Sequence, residues 1–159
     1  GTTLTGLREN YNVDPEHFLE YVDDVCLSDL EPDLELVKAI SNLSGKKYIL
    51  TNASDYHAKR ILQHLKLNEY FDGVFTIQSA NHIPKPEMSY YTQFIEKYNI
   101  QPKNSVFFED SSHNLLTAAE LGIKTVLIKT NCEKSMQYHD HIDIHETTDC
   151  IKSHLAMYK

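Results

Sequence analysis

The chain has 159 residues, 41% of them hydrophobic, with ten tyrosines and six phenylalanines. That is the size and make-up of one folded domain with room for a small appendage, and it argues against a disordered polymer. Fifteen basic and 23 acidic residues give a net charge of −8. Loose electrostatic binding to nucleic acid or to an anionic membrane is therefore not expected, although one or two local cations suffice for a phosphorylated small molecule.

Taken in chain order, "DPEHFLEYVDDVC" (14–26) places Asp14 at a cap and Pro15 at the first helical position. Phe18, Leu19, Val22, Val25 and Cys26 recur there at helical spacing. A second helix is expected over 33–43, stopped by Gly45. The apolar run at 47–50 reads as a strand ending in "TNAS", and Ser54 caps a helix with Ala58, Ile61, Leu62 and Leu65 on one stripe. "GVFTI" (73–77) is the next strand. A helix starts at Pro86 with Tyr91, Phe94, Ile95 and Tyr98 on one face.

"SVFF" (105–108) is a further strand, "NLLTAAELG" a helix closed by Gly122, and "KTVLI" (124–128) a strand. Residues 130–141 read as loop, "IDI" (142–144) as a last short strand and "TDCIKSHLAMY" as a last helix. From residue 46 onward strand alternates with helix, and the strands are continuous apolar runs. That pattern predicts an α/β fold, a parallel sheet covered by helices on both faces. Residues 1–30 stand apart as a helical lid. No apolar run approaches the roughly 20 residues that span a bilayer, and no secretion signal opens the chain. Cys26, Cys132 and Cys150 are scattered and odd in number, which fits reduced thiols in a cytoplasm.

Ligands of parallel α/β sheets bind beyond the carboxyl ends of the strands. Three polar clusters sit at such places: "TNAS", "EDSSHN" after the strand 105–108, and Lys85 in "PKPE". Each has a plain structural reading. Thr51 and Ser54 serve as turn and cap residues elsewhere, a loop lysine is commonly solvated, and acids favour helix N-termini. Glu109 and Asp110, adjacent carboxylates directly after a buried strand, ask for a cation to offset them.

In order and spacing the three clusters resemble the motifs of the haloacid dehalogenase (HAD) superfamily of hydrolases, most of them Mg²⁺-dependent phosphatases. "YILTNAS" with Thr51 is similar to the second motif, "PKPE" with Lys85 to the third, and "VFFEDSSHN" with Glu109 and Asp110 to the fourth. The opening "GTTLTGL" resembles the cap segment of pyrimidine 5′-nucleotidase-like members. The resemblance implies a Rossmann-like three-layer parallel sheet over 31–159, with 1–30 the remnant of a helical cap. It implies a cytoplasmic phosphomonoester hydrolase working through an aspartyl-phosphate intermediate, on a small phosphorylated metabolite and not on nucleic acid or membrane. A pyrimidine nucleoside monophosphate is the first substrate expected, and a sugar phosphate or phosphoglycolate the alternative.

A dianionic phosphate repels an attacking carboxylate, so such a site needs positive charge. On this reading Mg²⁺ is held by Glu109 and Asp110, with Asn114 in direct or water-mediated support. Lys85 supplies a point charge. The Thr51 hydroxyl and the N–H groups of Asn52 and Ala53 donate to phosphoryl oxygens.

The superfamily's first motif, a strand ending in Asp-x-Asp, has no match. "VDD" (22–24) lies in a helical pattern and "SDL" (28–30) in a turn. The family places that strand at the centre of the sheet, between the strands 47–50 and 105–108. A native segment carrying it is therefore expected upstream of Gly1, which is not an initiator residue. Without that nucleophile the 159 residues are expected to be inactive alone, the remaining alternative being a non-catalytic phosphate- or partner-binding remnant. His139, His141 and His145 invite a metal site, but a solvated, partly structured tail is the better expectation. His113 is expected to face water. Tyr11, His17, Phe18 and Tyr21 have the spacing of core aromatics, with stacking on a nucleobase the alternative.

Overall fold

A computed structural model describes residues 3–23 and 25–158. Contacts divide the chain into two compact units, one running to Pro84 and taking in Tyr158, the other Lys85–Met157. In the first unit lie α1 (Thr3–Tyr11), α2 (Pro15–Val22), α3 (Leu34–Ser41), β1 (Tyr48–Leu50), α4 (Asp55–His64) and β2 (Gly73–Phe75). In the second lie α5 (Met88–Tyr98), β3 (Val106–Glu109), α6 (Ser112–Glu120), β4 (Lys124–Ile128), β5 (Glu146–Thr148) and α7 (Ile151–Leu155).

All strand pairs are parallel. β1 pairs with β2 in the register Ile49↔Val74, and β4 pairs with β3 (Phe108↔Val126) and with β5 (Leu127↔Thr147). Parallel neighbours need a crossover of a dozen or more residues, which α4 supplies in the first unit and α6 in the second.

Local chemistry sets the helix ends. The Asp14 side chain accepts from the N–H groups of Glu16 and His17, Asp33 accepts from Glu35 and Leu36, and Ser54 Oγ accepts from His57 N–H at 3.0 Å. Each satisfies amides that the first helical turn leaves without partners. Gly122 adopts φ +83° immediately after α6 and its N–H returns to the Ala119 carbonyl, a conformation that favours glycine.

Each unit has its own core. Leu19 and Phe18 of α2 pack on Ile77 in the first unit. Tyr90, Tyr91, Leu115, Val126 and Leu127 are fully buried in the second. Each large apolar side chain so buried contributes about 1.5–3 kcal/mol.

Several elements depart from expectation. α2 ends at Val22, so Val25 and Cys26 are not on its apolar stripe, and Val22 and Val25 are partly exposed. Tyr11 and Tyr21 are exposed, as is His17; of the four lid aromatics only Phe18 joins a core. α3 stops at Ser41, capped by Asn42, and Gly45 belongs to the turn before β1. The helix after "PKPE" begins at Met88 rather than Pro86.

"IDI" is not a strand: Ile142 points to water, 90% exposed. Side-chain bonds occupy that stretch instead. Thr125 Oγ1 donates to the Asp143 carbonyl at 2.6 Å and accepts His145 N–H at 3.1 Å. The ladder with β4 opens only at Glu146. The last helix is a five-residue α7 followed by a 3₁₀ turn over Ala156–Tyr158. Asp24 of "VDD" and the opening Gly1 and Thr2 fall outside the described residues.

Candidate active site

In the second unit, β3 carries Phe107 and Phe108 outward from the sheet interior to Glu109, its last residue, and the chain then surfaces at Asp110. Glu109 is 9% exposed and Lys85 8%. Lys85 Nζ donates to Glu109 Oε2 at 2.5 Å and stands 5.4 Å from the centre of the Phe107 ring. The other oxygen, Oε1, accepts the N–H groups of Asp110 and Ser111, both at 3.2 Å. Lys85 is thus no solvated loop lysine. It is the cation that offsets Glu109.

Below the pair, the Tyr91 ring meets Phe107 edge-on at 6.2 Å, and Tyr91 Oη donates to the Asn114 carbonyl at 2.8 Å. Thr117 Oγ1 donates to the Pro86 carbonyl at 2.9 Å, tying α6 to the lysine's loop. The two adjacent carboxyls respond in opposite directions. Burial pushes Glu109 up, but the Lys85 ammonium and the hydrogen bonds from Asp110, Lys85 and Ser111 together hold it below the usual range. Asp110 is raised, first by its hydrogen bond with Glu109, then by burial and by the Glu109 charge. Burial also pushes the Tyr91 phenol up, with the Glu109 charge adding to it.

In the first unit, the loop after β1 is finished by hydroxyls. Thr51 N–H extends the ladder to the Phe75 carbonyl at 2.9 Å, and Thr51 Oγ1 accepts Ala53 N–H at 3.0 Å. The Ala53 amide, expected to face a phosphoryl oxygen, is therefore engaged within the loop. Ser54 is almost fully buried, and its hydroxyl donates to Asp23 Oδ2. Lys85, Glu109, Asp110 and Asn114 thus share the second unit, and Thr51, Asn52 and Ala53 lie in the first.

Two buried residues carry contacts that the sequence did not single out. Asp23, 6% exposed, receives the Ser54 hydroxyl and lies 3.7 Å from His57 Nδ1, while Arg60 donates to the backbone carbonyls of Asp23 and Val25. Ser112, fully buried, binds the 130–141 segment. Nothing in their neighbouring sequence marks either one. A carboxylate near a helix end and a serine near a helix start both read as solvated caps.

Among the described residues no group of three or more His, Cys, Asp or Glu side chains is gathered to hold a metal. The tail histidines pair with local acids instead, His139 with Asp140 at 3.2 Å and His141 with Asp143 at 3.4 Å. His113 is exposed, and all three cysteines are free and exposed. No described helix is long and apolar enough to cross a membrane.

A model of the haloacid dehalogenase-like hydrolase family matches residues 6–122. The chain belongs to that family. It is 29% identical over 133 residues to the GMP/IMP nucleotidase YrfG of Escherichia coli, covering 81% of this chain and 58% of that one. It is 31% identical over 93 residues to the phosphorylated carbohydrates phosphatase of Thermotoga maritima, covering 58% and 42%. The chain spans about half the length of the curated relatives it matches.

The fold is similar to that of a HAD family enzyme of Bacteroides thetaiotaomicron, an Asp-to-Ala mutant in complex with magnesium and inorganic phosphate. There the TM-score is 0.59 at 23% identity, over 84% of this chain and 72% of that one. The α/β core with its parallel strands is thus that of a HAD-like hydrolase.

Proposed function

We propose that this chain carries the phosphate-handling part of a phosphomonoester hydrolase. The observation that carries the reading is the buried Lys85–Glu109 pair directly beside the exposed Asp110, at the carboxyl end of β3. A lysine fixed by a buried carboxylate keeps its position and places a point positive charge beside the acid loop. Asp110 is then the carboxylate offered to solvent.

The donor set fits a hard divalent cation in part. Both Glu109 oxygens already accept hydrogen bonds, so Asp110 would be the direct ligand, Glu109 would orient the loop and Asn114 would lend support. Mg²⁺ bound there would offset the charge of a phosphate dianion. The magnesium and phosphate in the Bacteroides enzyme favour this choice of ion. Lys85, Thr51, Asn52 and Ala53 are the proposed phosphate contacts, with Ala53 contributing only if its bond to Thr51 gives way. Residues 1–30 are assigned to a cap.

A nucleoside monophosphate is the substrate we favour, in keeping with the name of the Escherichia coli relative. That name specifies purines, so the pyrimidine preference rests on the opening motif alone. A phosphorylated carbohydrate is the second reading, favoured by the Thermotoga relative.

The full-length protein should release orthophosphate from an aryl phosphate when Mg²⁺ is supplied, and cease to do so in excess chelator. Asp110→Asn should abolish release while leaving the unfolding curve in place. Turnover that survives chelation rejects the metal assignment, and turnover that survives the substitution rejects the site.

A further inference from the structure

The 130–141 segment, expected to be plain loop, is fastened to the acid loop inside the second unit. Helix α6 has no side-chain cap of its own, since Ser111 makes no capping bond. Its first amide is capped from the far segment instead: Ser112 N–H donates to the Ser135 carbonyl at 2.7 Å. Ser112 Oγ donates to the same carbonyl at 2.7 Å and accepts Tyr138 N–H at 3.0 Å. A fully buried hydroxyl is thereby satisfied both ways.

This clasp brings the Tyr138 ring 5.4 Å from the His113 ring, tilted by 31°. The pair is not core. His113 is exposed and Tyr138 only half-buried, and the segment is already held by three hydrogen bonds to Ser112 that do not involve either ring. His113 follows Asp110 by three positions, a span of at most about 11 Å. Both side chains therefore keep solvent-accessible surface, and His113 stands within that span of the carboxylate. Every nucleobase has a π-face that can stack on an aromatic side chain.

We propose that Tyr138 and His113, set in place by the Ser112 clasp, form a specificity-determining wall that takes the planar ring of a nucleoside monophosphate. The inference rests on the phosphatase reading above and narrows its substrate class.

The test uses the full-length protein and two probes, uridine monophosphate and acetyl phosphate, which lacks a ring. The quantity read is the ratio of their KM values. Tyr138→Ala is expected to raise KM for the nucleotide relative to acetyl phosphate by about tenfold, the scale of one lost base-stacking contact. His113→Ala, at an exposed position where folding is not at risk, should move the ratio the same way. Tyr138→Phe, which keeps the ring, should hold the wild-type ratio.

A ratio unmoved by both alanine variants overturns the wall. Wild-type cleavage of acetyl phosphate but not of the nucleotide overturns the substrate class and leaves the phosphatase reading standing. Release of phosphate from neither probe overturns that reading, and the wall with it.

Discussion

The loops that follow β1 and β3 share a frame, in which a short apolar strand turns into a helix, yet they are finished by opposite means. After β1, Thr51 to Ser54 carry no formal charge, and their two hydroxyls accept the Ala53 and His57 amides. The one buried ion nearby, Asp23, is met by the Ser54 hydroxyl and by a histidine 3.7 Å away. After β3, the loop opens on two carboxylates, and a lysine 24 residues distant in sequence answers the buried one. A loop closed by neutral groups tolerates the loss of its ion. A loop built around a buried ion pair does not, because removing one partner strands the other.

The largest expected effect tests that difference directly. Lys85→Met leaves Glu109 buried without its cation, and should cost about 3–5 kcal/mol in urea unfolding. Adding Glu109→Gln to the same chain should recover much of the loss, since the stranded charge is then gone. If the single variant loses no more than a typical surface substitution, the pair is not the electrostatic anchor of its loop.

Asp23→Ala should cost less, about 1–3 kcal/mol, because it deprives the Ser54 hydroxyl of its acceptor and His57 Nδ1 of its polar neighbour but strands no buried ion-pair partner. Asp23→Asn keeps an acceptor and should fall between this variant and the wild type. Amide hydrogen exchange over Thr51–Ala58 gives a second readout, with faster exchange expected in Asp23→Ala. Equal losses for Lys85→Met and Asp23→Ala would erase the contrast between the two loops.

These energetics also explain what could be read from residues alone. Parallel α/β architecture was visible because buried strands such as "KTVLI" are apolar throughout, and local caps such as Asp14, Ser54 and Gly122 were visible because their partners lie within four residues. Lys85 and Glu109 were each identifiable by motif, but their bond to one another was not. Pairing across 24 residues depends on the fold and leaves no local pattern. The same holds for Ser112, whose partners Ser135 and Tyr138 are more than twenty residues away. At "IDI" an alternating pattern misled, because Thr125 and His145 captured the backbone groups that a ladder would have used. The signal there was local and the outcome was decided by tertiary contacts.

The smallest predicted effect asks whether α2, read from sequence as part of a lid, is held by charge or by packing. Glu16 accepts from Gln78 Nε2 at 3.0 Å and meets His82 Nε2 at 2.8 Å. The Gln78 bond first, and then the His82 contact, hold its carboxyl below the usual range. A carboxyl depressed on folding adds stability above its unfolded value, about 4.5, and that stability is lost as pH falls through the folded value. Because the side chain is 56% exposed, solvent screens the interaction, and Glu16→Gln should cost less than about 1 kcal/mol near pH 7. The urea midpoints of variant and wild type should then converge once the pH falls below the folded value and Glu16 is protonated, and also draw together in high salt. A gap that persists in acid would mean that Phe18 and Leu19, packed on Ile77, carry the attachment. Apolar packing, and not a titrating group, would then fix α2 within the first unit.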